Sequence, residues 1–206
     1  MKFILFIQNV LIGVSLVLLA FIPFYSWISD IDFATRGTLY TLSFVAVFLV
    51  MIVRPLADIT GWRWLRRLII LRKGFGIFSA SIIIGFMIDA LITPHSTYLL
   101  AISEGRYFSL SSFATFAHVG DVTGLILLLT SNTWSQKILK QNWKRIQRLS
   151  YVYFYSGGIY EAFALDSTFA LYAILLVTNL TVLAFAVKVY RKGAVTQSRP
   201  VVATAV

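Results

Sequence analysis

The chain has 206 residues, 59% hydrophobic and 16% aromatic, with a formal net charge of +10 and a mean hydropathy of +0.83. This excludes a water-soluble globular domain, in which roughly 45–50% of residues are apolar, and makes the polypeptide an integral membrane protein. It contains no cysteine, which excludes disulfides, thiolate-held iron–sulfur clusters and cysteine-based zinc sites.

Crossing a bilayer takes about 20 apolar residues, and about 17 suffice. Six stretches meet that length and predict an all-α bundle of six transmembrane helices. The first, residues 4–25, has only Lys2 ahead of it and no small-x-small cleavage signal behind it, so it reads as a retained helix rather than a removed signal peptide. The second, 37–53, runs into a basic loop holding Arg54, Arg63, Arg66, Arg67, Arg72 and Lys73. The third, 74–92, carries Ser81 and Gly85 as a small-residue pair and Asp89 near its outward end. His95 follows in an outward loop, where a solvated histidine is expected. The fourth, 110–129, holds His118 and Asp121 near its middle, and a G-x-x-x-G step at Gly120 and Gly124 that suits close helix packing.

A second basic loop, with Lys137, Lys140, Lys144, Arg145 and Arg148, leads to the fifth stretch, 149–165. This begins with Tyr151, Tyr153, Phe154 and Tyr155, as an interfacial aromatic belt would, and holds Tyr160 and Glu161 further on. A turn of a few residues around Asp166 joins it to the sixth, 168–187, after which come Lys188, Arg191, Lys192 and Arg199. The remaining loops are poor in Lys and Arg. The positive-inside rule therefore puts both termini and the two basic loops in the cytoplasm. Basic residues at membrane-helix ends are explained by orientation, so nucleic acid is not an expected partner; anionic lipid headgroups are. The chain reads as one domain, 1–192, with a disordered cytoplasmic tail, 193–206.

The segments RPLADITGWRWLRRL (54–68), LRKGFGIFSASIIIGF (71–86), LLLTSN (127–132) and QKILKQNWKRIQRLSYVYF (136–154) resemble the ferric-reductase-like transmembrane domain family. Within it they are most similar to the haem-binding membrane subunit of the periplasmic methionine sulfoxide reductase system. Trp62, Trp64, Thr130, Ser131, Trp143 and Tyr151 fall in register with that pattern, and the resemblance spans 54–163. It implies location in a bacterial inner (cytoplasmic) membrane. It also implies transmembrane electron transfer through b-type haem, from a cytoplasmic flavin reductase to an acceptor outside.

The resemblance also places the family's haem-ligand histidines, and here those positions hold Phe86 (Gly85 if the register slips by one), Gln147 and Tyr160. Phe cannot ligate iron, Gln is a very poor ligand, and Tyr serves only in special sites. Phe86 and Tyr160 each lie about 12 residues into an outward-running helix, roughly 18 Å from the cytoplasmic end, so they can face one another at one depth. Bulky rings there suit a core closed without cofactor.

Three expectations follow. The first is a haem-free structural or partner-binding subunit working with another membrane protein or complex, and not an enzyme on its own. The second is an electron-transfer subunit of an oxidoreductase with haem b held by His118 and Tyr160. The third is a small transporter or proton pathway around His118 and Asp121, which lie one turn apart on one helix face. A His–Asp hydrogen bond inside the bundle, or a contact with a partner protein, would also account for that pair. Asp89 and Glu161 are expected at the outer interface; two carboxylates are too few to make a metal site. No catalytic constellation and no flavin or nicotinamide domain is expected.

Overall fold

The computed structural model describes residues 2–29, 31–92, 98–105, 108–109 and 113–197, which form ten α-helices with no strand among the described residues. They are α1 (Lys2–Ile28), α2 (Phe33–Thr60), α3 (Arg63–Leu68), α4 (Leu71–Ile92), α5 (Tyr98–Ser103), α6 (Ala114–Thr130), α7 (Thr133–Leu139), α8 (Gln141–Ile146), α9 (Leu149–Ala164) and α10 (Thr168–Gln197). Among the described residues, four of these are long and apolar enough to cross a membrane: α1, α2, α4 and α10. Helices α6 and α9, with 17 and 16 residues, correspond to the fourth and fifth predicted stretches. At 1.5 Å per residue each is roughly 25 Å long, near the lower limit for a span.

Helix α2 outruns its apolar stretch at both ends, because capping rather than hydropathy sets its limits. Asp32 accepts a hydrogen bond from the Thr35 backbone N–H at 3.0 Å. Bonds from the Thr35 side chain and backbone hold the Asp32 carboxyl below the usual carboxylate range. This cap is therefore present at neutral pH and is lost as the pH falls through that lowered value. At the other end Gly61 takes the left-handed conformation, φ 70°, and its N–H reaches Ala57 O at 3.0 Å, a glycine C-cap. Arg191 from α10 donates to the Asp58 and Ile59 carbonyls, both at 3.1 Å, satisfying the last turn from outside.

Lipid tails are as apolar as leucine, so the bundle is held by close packing and internal hydrogen bonds rather than by expulsion of water. Helices α2, α4, α6, α9 and α10 close a ring, each packing on its neighbours, with α1 laid on the outside of α4. Glycines set the close approaches. A Cβ on Gly85 would lie 3.2 Å from the Cβ of Ile22 in α1, and one on Gly124 would lie 3.0 Å from the Tyr153 ring. Gly120 faces Ser156 of α9 in the same way, so the G-x-x-x-G step is the seat of α9 on α6.

The core between α2, α9 and α10 is built on Phe44, Met51, Phe154 and Val177, with the Phe44 and Phe154 rings stacked at 5.4 Å. Of the aromatics expected in an interfacial belt, Tyr153 and Phe154 are instead buried, at 6% and 0% exposure. Asp166, at φ 51°, forms the turn between α9 and α10. Helix α10 continues to Gln197, five residues into the segment expected to be a disordered tail; residues 198–206, like His95, lie outside the described residues.

Candidate functional site: a polar cavity inside the bundle

Phe86 and Tyr160, read from the sequence as lying at one depth, line the same cavity, of about 180 Å³, between α2, α4, α6 and α9. Asp121 and Glu161 line it too, with the tyrosines at 40, 98 and 153 and the serines at 43 and 79. The small residues Gly120 and Gly157 border it as well. A void this size would cost about 4 kcal/mol if dry, at about 24 cal/mol per Å³. The carboxyl and hydroxyl groups around it supply the two to four partners that a buried water needs.

Three networks hold the walls. In the first, Phe86 packs face to face on Tyr40 of α2, with ring centroids 4.9 Å apart. The Arg36 guanidinium lies 5.9 Å from the centre of the Phe86 ring and reaches Asp89 at 3.3 Å. Asp89 is 3% exposed, a buried partner of α2. Glu161, also buried, accepts a hydrogen bond from Thr41 at 2.7 Å. The two outer carboxylates therefore each pair with α2, and only Glu161 borders the cavity.

The second network crosses the core beside the cavity. Ser79 Oγ shares hydrogen bonds with Ser43 Oγ at 2.9 Å and with the Tyr153 hydroxyl at 2.8 Å. All three residues are buried. Sequence reasoning missed this chain because each member looks unremarkable alone. The available signal was the seven-residue spacing, about two helical turns, that puts Ser79 on the Phe86 face of α4 and Tyr153 on the Tyr160 face of α9.

The third network contains His118. Its Nδ1 lies 3.3 Å from the Tyr98 hydroxyl, and its ring meets that of Phe108 edge to face with the centroids 6.0 Å apart. Tyr98 in turn borders the cavity that Asp121, Tyr160 and Glu161 line, so it stands between His118 and that polar wall.

Gln147 is elsewhere. It borders a second cavity at the basic end of the bundle, and its Nε2 reaches Thr130 Oγ1 at 3.4 Å. The three substituted positions therefore divide, Phe86 and Tyr160 at one cavity and Gln147 at the other. Haem does not fit the first: its volume is below the roughly 300 Å³ at which small-molecule sites begin, Tyr40 covers Phe86, and among the described residues no histidine lines it. Among the described residues no group of three or more His, Asp or Glu side chains is placed to hold a metal ion. No protein-family model, curated protein or solved structure matches this chain.

Proposed function

We propose that this is a haem-free, multi-pass protein of a bacterial inner membrane, built on the ferric-reductase-like plan. It has six spans and cytoplasmic termini, and it serves as a structural or partner-binding subunit of a membrane complex. The observation that carries this reading is the Tyr40–Phe86 stack. At the depth where the resembled family keeps a ligand pair, two aromatic rings occupy the space between α2 and α4, and the remaining cavity is about 180 Å³. A further support is the packing of α6 and α9 within the ring of long apolar helices, which suits six spans. The two basic loops at one end suit cytoplasmic termini. The test is a pyridine haemochrome assay on full-length protein purified after expression with haem supplied. The expected result is haem far below one per chain; near-stoichiometric haem would overturn the proposal.

A second reading, proton movement through the bundle, is favoured by one observation: Tyr98, which hydrogen-bonds His118, lines the same cavity as Asp121. Ionisable residues at membrane depth that face an internal cavity are the usual parts of a proton relay. Proteoliposome proton flux should then be lost in Asp121→Asn and reduced in Tyr98→Phe. Flux equal to wild type in both variants would sink this reading.

A further inference from the structure

The larger cavity, about 570 Å³, lies where α2 ends and α4 and α9 begin. Five cations from four segments line it: Arg54 of α2, Arg72 and Lys73 of α4, Lys144 of α8, and Arg148 just ahead of α9. No carboxylate among the described residues lines it. Among the described residues the one salt bridge joins Arg36 to Asp89 in another part of the bundle, so none of the five carries an ion pair. The Arg72 Nε is buried without a hydrogen-bond partner, and Arg54 is its like-charged neighbour.

The positive-inside rule accounts for basic residues at this end, but not for their convergence. Arg63, Arg66, Arg67, Lys137 and Lys140 belong to the same two loops and do not border the cavity. Gathering like charges round a recess with apolar walls is unfavourable, because repulsion there is screened less than in open water. A bound anion reverses that balance. Guanidinium forks match the oxygens of a phosphate, and the volume lies within the roughly 300–1,000 Å³ of small-molecule sites. One wall is fixed by Trp143, whose indole N–H donates to Thr130 O at 3.0 Å. We propose that this cavity binds a phosphate group, carried either by an anionic phospholipid headgroup or by a soluble phosphorylated molecule.

The test is a thermal-melt titration of delipidated full-length protein in non-ionic detergent. One arm adds phosphatidylglycerol, a second adds inorganic phosphate and pyrophosphate, and a third adds zwitterionic phosphatidylcholine. A saturable upward shift with phosphatidylglycerol alone identifies a lipid site; a shift with the soluble anions identifies a free phosphorylated ligand. Either response should weaken at least tenfold in Arg72→Gln. It should weaken as much in the double variant Arg54→Gln/Lys144→Gln, whose two positions are exposed and place no demand on the core. Arg63→Gln/Arg66→Gln, outside the cavity, should leave the shift unaltered. No saturable shift in either anionic arm would overturn the proposal. So would affinity unchanged in the cavity variants, or an equal loss in the Arg63/Arg66 control.

Discussion

Tyr153 places its hydroxyl in the core, against Ser79 at 2.8 Å. A buried donor without a partner costs about 1–3 kcal/mol, so the serine is what allows a tyrosine there. Tyr153→Phe should lower stability by about 1 kcal/mol, since Ser79 keeps its bond to Ser43 and only one net hydrogen bond is lost. Thermal melts in detergent check this, and an unchanged melting temperature would remove the network from the account. At this scale the sequence was partly legible. Counting residues along α4 and α9 drew attention to Phe86 and Tyr160 together, and both border one cavity. It could not find Tyr98, which comes from the short helix α5 and reaches His118 across 20 positions of sequence, nor the partners that α2 supplies to Asp89 and Glu161. Those bonds depend on which helices become neighbours, and hydropathy carries no such information.

Helix α1 meets the bundle along α4, with Gly74 against Leu11 and Gly85 against Ile22. Within the ring of helices each element has two or more neighbours, whereas α1 relies on this one seam. Gly85→Val would drive methyl groups into the Ile22 side chain at its branch point, which cannot swing away. Overpacking of this kind costs about 1–3 kcal/mol. Gly13→Ala, in α1 itself with nothing within 4 Å of the added Cβ, should be neutral or slightly stabilising, because alanine is the better helix former. Comparing the two melts separates a packing seam from a general sensitivity of α1 to substitution. Helix existence was readable from apolar runs; helix ends were less so. The apolar signal of α2 stops before Arg54, yet its backbone hydrogen bonding continues to Thr60, where Gly61 and the Arg191 side chain complete it. Hydropathy measures where lipid can be, while capping decides where the helix stops.

At the scale of the whole molecule the two ends differ in charge. Arg54, Arg72, Lys144 and Arg148 gather at one end and Asp32, Glu161 and Asp166 at the other, a polarity plain in the sequence. The proposed orientation is directly testable because the chain has no cysteine of its own. Lys140→Cys, in the second basic loop, should react with a membrane-impermeant maleimide only after the cytoplasmic face is opened. Asp166→Cys, in the turn between α9 and α10, should react in intact cells. The reverse pattern would invert the topology, and with it the side from which the basic cavity is reached.

The central claim is that aromatic packing has closed the place where the resembled family holds haem, and its most direct test is optical. Full-length protein, purified in detergent after expression with haem supplied, should give a flat dithionite-reduced minus oxidised difference spectrum in the visible range, alongside His118→Ala run as a control. A b-type spectrum at near-stoichiometric intensity, particularly one lost in His118→Ala, would contradict the claim and restore electron transfer as the working function.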